Sequence, residues 1–380
     1  MKNLLPSLAL LALLPRLAAA PENRIVWNVN ASPEHQRNTE GAFITLKSGR
    51  IALYYSQFES GKEDYSRGSV AEVHSDDQGL SWSSPRVVFP HGDFLNAGSV
   101  SLLRLADGRI AILYAVKRSN LDCRPLIRFS DDETATWSEP RNIIDAPGYF
   151  VVNNDRLIQT RSGRLIVPAA FHRALVPVDR GATTVDSRAI TLWYLSDDAG
   201  RTWRQSETWW SIPVRSESGL QEPGVVELAD GTLFSWARTD RGCEYAFRST
   251  DGGTTWSAPV PTDLKSPLSP ASIKRLPGSD ALLAIYDDHS GRFPFDPSRR
   301  APLVAAVSRD GGRTWGLQRV LEGATMNWYC YTSIHFTGGH ALLAYWVKDD
   351  KLTPETIAKG RMGRLRIRRV DPSWFLQTEK

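Results

Sequence analysis

The sequence predicts an all-β protein, a six-bladed β-propeller, because two short repeats alternate along its 380 residues. One is an octapeptide of the form S-x-D-x-G-x-[TS]-W, and the other is a glycine-containing turn followed by an apolar and aromatic run. Their period of roughly 50–65 residues corresponds to four short strands. A sheet of that size buries both faces only when neighbouring sheets pack on it, as they do in a ring of blades.

The octapeptide predicts a turn followed by a strand. Its Asp can accept hydrogen bonds from nearby backbone N–H groups, and its Gly can adopt positive φ without steric cost. The Trp is expected to fill space between sheets. Thr134 replaces the Gly in the second copy. We therefore assign a structural role to the Asp of each copy, and exclude these five from the chemistry: Asp77, Asp132, Asp198, Asp251 and Asp310.

The second repeat predicts a hairpin whose second strand is buried. Six hairpins and five octapeptides imply six blades, the last of them without the turn motif. The outer strand of the last blade is expected from residues 365–370, or from the N-terminal residues 24–29 closing the ring. The six hairpin copies occupy residues 46–58, 105–116, 160–171, 228–239, 276–287 and 336–347.

The N-terminal segment has the layout of a secretory signal peptide, with one Lys, an apolar run over residues 4–14 and small residues at 18–20. The sequence thus predicts a signal peptide at residues 1–20, one propeller domain at 21–380, and export to the periplasm or the extracellular space. No later segment is apolar enough to cross a membrane. The three cysteines allow at most one disulfide within the monomer, and we expect buried free thiols.

Charge and motif content exclude several functions. A net charge of +4 is too small for the concentrated basic face that nucleic-acid binding requires. The seven His residues show no ligand spacing with Cys or carboxylates, so no metal site is predicted. Every glycine-rich piece falls in a hairpin turn, and no cofactor is implied.

The octapeptides resemble the Asp boxes of the sialidase superfamily, and the chain resembles exported bacterial exo-sialidases with six blades. This resemblance implies three arginines that hold the carboxylate of the sugar, since a guanidinium binds a carboxylate through two parallel hydrogen bonds. Arg37 matches the first of these three arginines, although Asn38-Thr39 replaces the Ile-Pro that follows it in the family. Arg238 follows a catalytic Glu222 by sixteen residues, and Arg299 and Arg300 both precede the last box, with Arg300 the favoured third arginine.

The resemblance also implies the catalytic groups. Tyr331 matches the family's nucleophile, with Tyr329 as the neighbouring alternative. Glu222 is the base that takes the phenol proton, and Asp64, eleven residues before the first box, is the acid/base. A phenol suits this substrate because a carboxylate nucleophile would be repelled by the carboxylate on the anomeric carbon. Further polar residues at blade edges are expected to contact the sugar: Glu40, Asn96, Asn154, Asp155, His172 and Asp240.

The leading hypothesis is an exo-acting retaining glycoside hydrolase that releases terminal α-linked sialic acid, or a related 2-keto acid sugar of the Kdo or Kdn type, from a glycan or glycoconjugate. Two alternatives stay open. One is a glycosidase or lyase for uronic-acid-containing polysaccharide that uses His172 with Tyr331. The other is a carbohydrate-binding propeller without catalysis.

Overall fold

The computed structural model describes residues 20–61, 63–175, 184–349 and 363–377. Apart from Ala20, the predicted signal peptide lies outside these ranges. Strands dominate the described chain, and a single short 3₁₀ helix, Pro372–Leu376, follows the last strand of these ranges. The all-β prediction is confirmed. Nowhere in these ranges is there a helix both long and apolar enough to span a membrane.

Antiparallel pairing groups the strands into successive sets that we call blades 1 to 6, and single parallel bridges join blades 1 to 3 into one thirteen-stranded sheet. Blade 1 comprises β2 (Arg37–Thr45), β3 (Ile51–Ser60), β4 (Arg67–Ser75) and β5 (Arg86–Phe89). Blade 2 comprises β6 (Asn96–Arg104), β7 (Ile110–Ser119), β8 (Asp122–Ser130) and β9 (Arg141–Asn142). Blade 3 comprises β10 (Tyr149–Val151), β11 (Ile158–Gln159), β12 (Leu165–His172), β15 (Ile190–Ser196) and β16 (Arg204–Gln205), with a side hairpin of β13 (Ala174–Leu175) and β14 (Thr184–Val185).

The remaining three blades follow the same order from the first strand outwards. Blade 4 comprises β17 (Gln221–Glu227), β18 (Leu233–Arg238), β19 (Tyr245–Ser249) and β20 (Val260–Pro261). Blade 5 comprises β21 (Ser272–Arg275), β22 (Leu282–Asp287), β23 (Leu303–Ser308) and β24 (Gly316–Glu322). Blade 6 comprises β25 (Trp328–Thr337), β26 (His340–Lys348), β27 (Arg364–Val370) and the N-terminal β1 (Asn23–Val29).

Both candidate closing strands belong to blade 6. Strand β27 pairs with β26, and β1 then pairs antiparallel with β27 as the outermost strand. Chain segments from the two ends of the described sequence therefore complete one sheet. The count of six blades itself stays a prediction from the repeats.

The apolar core lies between blades. One cluster joins blades 1 and 6 through residues such as Phe43, Trp82 and Leu342. Five further clusters occupy the interfaces between blades 1 and 2, 2 and 3, 3 and 4, 4 and 5, and 5 and 6. Each blade thus buries both of its faces against its neighbours. A sheet of four short strands requires this burial, as the repeats predicted. The three cysteines are buried free thiols, as expected: Cys123, Cys243 and Cys330.

The octapeptides form the turns that their residue types predict. In the first copy, Asp77 accepts hydrogen bonds from the backbone N–H groups of Leu80 and Ser81 at 3.1 and 2.9 Å. Ser75 donates its hydroxyl to Asp77 and accepts from the N–H of Gly79 at 2.8 Å. The Ser81 hydroxyl also donates to Asp77 Oδ2 at 2.6 Å, and this bond, together with the other donors, lowers the pKa of Asp77 to about 2. The Asp is fully engaged within its own turn.

The Trp of the box packs between blades. Trp256 stacks on Trp193 of blade 3 with ring centroids 4.2 Å apart. Its indole N–H donates to the carbonyl of Gly253 in its own box at 3.0 Å, which satisfies the one polar atom of the ring. The box therefore links the turn of one blade to the core shared with the preceding blade.

Candidate active site

A cavity of about 320 Å³ lies among residues of blades 1, 2, 3, 4 and 6. The first strand of blade 1, β2, contacts the first strands of both neighbouring blades, β6 and β25, as expected for strands that surround the central axis of a ring. Residues predicted from sequence supply much of the cavity wall. The predicted residues that line it are Glu40, Asp64, Asn96, His172, Glu222, Arg238 and Tyr331.

Backbone irregularities in the first strands aim side chains into this cavity. Strands β2, β6, β17 and β25 each contain a register shift, and at each shift one non-glycine residue adopts positive φ. These residues are Glu40 (φ 53°), Ser99 (54°), Glu222 (46°) and Tyr331 (59°), and all four line the cavity. Left-handed backbone costs about 1–3 kcal/mol at a non-glycine residue, and bulges commonly redirect side chains at functional sites. The same device in four blades indicates a site built from convergent bulges.

Glu222 and Arg238 form an ion pair in the cavity wall. Arg238 Nη1 lies 3.1 Å from Glu222 Oε2, and both side chains are about nine-tenths buried. Arg238 also donates through Nε and Nη2 to Oε1 of Gln221, at 3.1 and 2.8 Å. The amide of Asn153 donates to Glu222 Oε2 at 3.5 Å. The carboxylate is thus held in one orientation beside the cavity.

Tyr331 lies within the electrostatic field of the site. Burial and the nearby Glu222 carboxylate raise the pKa of the Tyr331 phenol, whereas Arg300 and Arg238 oppose that rise. The Arg300 guanidinium carbon lies 5.9 Å from the Tyr331 ring centroid. Arg300 Nη1 also donates to Sγ of the buried Cys330 at 3.4 Å. The phenol is therefore neutral at ordinary pH and requires a base to lose its proton.

Arg37 completes the group of guanidinium side chains near the phenol. It donates from Nη1 to Asp64 Oδ1 at 2.6 Å and from Nη2 to Glu40 Oε1 at 3.1 Å. Its guanidinium carbon lies 4.7 Å from the Phe58 ring centroid. Burial alone would lower the pKa of Arg37, but Glu40, Asp64 and the Tyr331 phenol raise it above its ordinary value. Arg37 is therefore always charged in this site.

Asp64 projects from the turn between β3 and β4, and 71% of its side chain is exposed. Desolvation would raise the pKa of Asp64, but the ion pair and hydrogen bond with Arg37 outweigh it and hold the pKa below its ordinary value. Asn96, at the start of β6, donates to the backbone carbonyls of Asp64 and Ser66 at 2.9 and 3.1 Å. Asn96 therefore contacts the loop that carries Asp64.

His172 lies in the part of the cavity wall that blade 3 forms. Its Nδ1 shares a hydrogen bond of 2.8 Å with the backbone carbonyl of Asp186, so this nitrogen is the donor. The imidazole meets the Tyr149 ring edge-on at 5.9 Å. Burial lowers the pKa of His172. A neutral imidazole with its second nitrogen available is a wall group that can bind a polar substrate atom.

Besides Arg37 and Arg300, three further predicted substrate contacts are absent from the cavity wall. The Asn154 amide donates to the carbonyls of Gly41 and Tyr331, at 2.8 and 3.1 Å, and so ties blade 3 to blades 1 and 6. Asp155 accepts from Lys274 Nζ at 2.7 Å.

The third of these residues, Asp240, binds a loop. It accepts from the Ser216 hydroxyl at 2.5 Å and from the Glu217 N–H at 2.8 Å. Strand β18 ends at Arg238, so the alternation that would bring Asp240 to the same side does not continue. None of these three side chains lines the cavity, because each binds a neighbouring chain segment, and their contact with a substrate stays a prediction.

The polar cavity residues that the sequence analysis missed include Lys117 and Ser99. Lys117 is 6% exposed at the end of the apolar strand β7, and Ser99 occupies the bulge of β6. The available signal for Lys117 was a charge at the end of an otherwise apolar run. Ser99 had no such signal. Within the four described ranges, no group of three or more His, Cys, Asp and Glu residues has metal-ligating geometry.

The fold and the site define a β-propeller whose cavity combines a phenol, carboxylates and a guanidinium group. The family model described as BNR repeat-like domain matches residues 98–342. The chain therefore belongs to the BNR repeat-like domain family, and its fold is that of the sialidase superfamily.

Curated relatives and a solved structure agree with this assignment. The chain is 30% identical to an anhydrosialidase of Macrobdella decora over 138 residues, which are 36% of the chain and 16% of that protein. It is 30% identical to a sialidase of Micromonospora viridifaciens over 143 residues, 37% of the chain and 21% of that protein. The chain thus spans only a small part of these relatives. The leech intramolecular trans-sialidase, solved with 2,7-anhydro-Neu5Ac, superposes with a TM-score of 0.67 at 14% identity, covering 94% of this chain and 71% of that one.

Proposed function

We propose that the protein is an exo-acting retaining glycoside hydrolase that releases terminal α-linked sialic acid, or a related 2-keto acid sugar, from a glycan. The observation that carries the proposal is the cavity that Tyr331, Glu222 and Arg238 line together. A neutral phenol beside a carboxylate and a guanidinium suits a substrate whose anomeric carbon bears a carboxylate.

The arginines would bind the substrate carboxylate. Arg238 lines the cavity, Arg300 lies 5.9 Å from the Tyr331 ring centroid, and Arg37 pairs with Asp64. Guanidinium groups pair with carboxylates through charge-assisted hydrogen bonds and offset charge as the transition state develops. Arg37 already pairs with Asp64 at 2.6 Å, and an arriving carboxylate would compete for that guanidinium.

The first chemical step would form a covalent glycosyl-enzyme. The phenol oxygen of Tyr331 attacks the anomeric carbon as its proton passes to the Glu222 carboxylate. The glycosidic C–O bond breaks, and the leaving oxygen takes a proton from Asp64. Competition for Arg37 favours this step, because release of Asp64 from the ion pair raises its pKa towards that of a general acid.

The second step would reverse these roles. The Asp64 carboxylate takes a proton from water, whose oxygen attacks the anomeric carbon from the vacated side. The phenol leaves and recovers its proton from Glu222. Two displacements at one carbon retain the configuration, and the tyrosine nucleophile is a known exception to the two-carboxylate scheme of glycosidases.

The site would act outside the cytoplasm. The predicted signal peptide at residues 1–20 carries this part of the proposal, with residues 21–380 as one propeller domain. Mass determination of protein recovered from the periplasm or medium after expression of the full chain tests it. Cytoplasmic protein that keeps residues 1–20 would contradict it.

Substrate assays test the activity. Purified protein is incubated with an aryl α-sialoside and with the Kdo and Kdn analogues, and aglycone release is followed together with the anomer formed first. We expect release with retention, and we expect Tyr331→Phe to abolish turnover while binding is kept. The matched control Tyr329→Phe changes a neighbouring phenol of the same strand that does not line the cavity.

Each of the other possible assay results supports a different function. Cleavage of a uronic-acid polymer without release from any 2-keto acid glycoside supports the polysaccharide lyase or glycosidase. Glycan binding with no turnover supports a carbohydrate-binding propeller. An anhydro sugar as product would retain the Tyr331 chemistry but replace water with an internal hydroxyl of the sugar.

A further inference from the structure

Lys117 is a buried cation that the proposed chemistry does not yet use. It lies in β7 of blade 2, is 6% exposed and lines the cavity. Burying an ammonium is unfavourable unless it gains hydrogen bonds or charge partners. Its environment therefore indicates what it contributes.

The Lys117 ammonium binds the loop that carries Asp64. Its Nζ donates to the backbone carbonyl oxygen of Asp64 at 2.7 Å. The same Nζ lies 4.5 Å from the ring centroid of Tyr65 and 5.4 Å from that of Tyr149. A cation between two aromatic rings gains favourable electrostatic energy when it is desolvated. Lys117 thus contacts both residues at the tip of the loop.

Asn96 converges on the same carbonyl from the adjacent strand. Asn96 and Lys117 are directly paired across β6 and β7. The Asn96 amide donates to the Asp64 carbonyl at 2.9 Å and to the Ser66 carbonyl at 3.1 Å. Two donors of blade 2 therefore fix the backbone of a loop that belongs to blade 1, while the Asp64 side chain stays largely exposed.

We propose that Lys117 and Asn96 are positioning residues that hold the backbone of Asp64 so that its carboxyl group meets the leaving oxygen. This inference rests on the proposed function for the role of Asp64. Lys117 and Asn96, which we call the clamp, both bind the backbone oxygen of Asp64. The Asp64 carboxyl group can therefore leave Arg37 and bind the substrate. Lys117 and Asn96 act through Asp64 and need not touch the reacting atoms.

Acid catalysis predicts a dependence on the leaving group. An alkyl or sugar alcohol is a poor leaving group and needs protonation as the bond breaks, whereas an activated phenol leaves with little help. A displacement of about 1 Å in a catalytic group can cost about 10²-fold in rate. Loosening the loop should therefore slow release of a sugar far more than release of an aryl group.

The test compares the two substrates in the full chain with Lys117→Met. We expect kcat/KM for a sialyl disaccharide to fall by about 10²-fold and kcat/KM for the aryl α-sialoside to fall by less than about 3-fold. Asp64→Asn should show the same selectivity, and the double variant should lose no more than Asp64→Asn alone. Lys117→Arg, which keeps the charge and the donors, should restore part of the disaccharide activity.

Lys274→Met is the matched control, because Lys274 pairs with Asp155 away from the cavity wall. We expect no substrate selectivity from it. Equal losses on both substrates for Lys117→Met, or additive losses in the double variant, would overturn the positioning role.

Hydrogen exchange separates the clamp from the activity. Amide exchange in residues 63–67 should accelerate at least about tenfold in Lys117→Met, with the rest of blade 1 unchanged. If the unmodified protein cleaves none of the glycosides, the proposed function fails, whereas faster exchange in this loop still supports the clamp. Unchanged exchange in residues 63–67 would refute the clamp whatever the activity.

Discussion

Arg238 Nη1 lies 3.1 Å from Oε2 of Glu222, although Arg238 is paired across the sheet with Gln221. The bulge between Gln221 and Gly224 allows both neighbours to face the same guanidinium. In a regular strand, adjacent side chains would point to opposite faces. Positive φ at Glu222 is thus the local cause of the carboxylate's position.

This relationship predicts the effect of Glu222→Gln. The amide is nearly isosteric and can still accept a hydrogen bond from Asn153 or Arg238, so the fold should be kept. It cannot take the phenol proton, and we expect kcat to fall by about 10²–10⁴-fold on an aryl α-sialoside. Steady-state kinetics with a thermal unfolding control measures this. The matched variant Glu227→Gln, at the far end of β17, should keep activity, and full turnover by Glu222→Gln would remove Glu222 from the mechanism.

The Arg37–Asp64 pair predicts proton uptake on ligand binding. Arg37 holds the pKa of Asp64 below its ordinary value in the free protein. A bound carboxylate that takes over Arg37 raises this pKa, so the complex carries more protons than its free components. Titration calorimetry with sialic acid, in two buffers of different protonation enthalpy, should show uptake that increases as pH falls from about 6 to about 4. Asp64→Asn should abolish the uptake, and proton release in the unmodified protein would contradict the exchange.

The blades could be predicted from sequence because their signals are local. The turn of a box depends on residues within one octapeptide, as the hydrogen bonds of Asp77 to its own turn show. The hairpins depend on apolar alternation around one glycine. Such patterns recur in each blade and need no knowledge of distant contacts.

The site was only partly predictable because its geometry arises between blades. Asn154 and Asp155 follow an apolar run at a channel edge, yet their partners lie on blades 1, 5 and 6. Lys117 donates to a carbonyl in a loop of blade 1 that is distant in sequence, and this contact accounts for its burial. Whether a polar side chain faces a cavity or ties two segments is decided by bulges, and the sequence carries little signal for these.

The box of blade 2 predicts a stabilising substitution. Thr134 occupies the glycine position of this box with φ 74°, a conformation that is strained for a β-branched residue. Thr134→Gly should raise the free energy of unfolding by about 0.5–1 kcal/mol, since relief of strain exceeds the added entropy of glycine. Urea unfolding measures the change.

The control substitutes the equivalent glycine of blade 3. Gly200 has φ 86°, and an added Cβ would lie 2.5 Å from the Phe129 ring. Gly200→Ala should therefore destabilise the protein by about 2 kcal/mol or more. A loss of stability in Thr134→Gly would show that the contacts of the threonine side chain outweigh its backbone strain.

Glu244 predicts a pH-dependent stability. It is fully buried, and its Oε2 has no hydrogen-bond partner among the described residues. Burial raises the pKa of Glu244 to about 8 from an ordinary value of 4.5. Between these pH values the folded protein keeps a proton that the unfolded chain has lost, so the free energy of unfolding falls as pH rises through the window. The stabilising proton is fully present below pH 4.5, and its contribution is lost above pH 8.

Glu244→Gln removes this titration while keeping the size of the side chain and its ability to accept from Ser266. The variant and the unmodified protein should therefore have similar stability at pH 4, where both side chains are neutral in either state. At pH 8 the variant should be more stable by about 4 kcal/mol, because glutamine gains nothing by ionising in the unfolded chain. Urea unfolding at both pH values measures the difference, with Glu139→Gln at the exposed surface as the control. A variant that is less stable at pH 8 would mean that Glu244 is held as a carboxylate by Arg156 and Arg238.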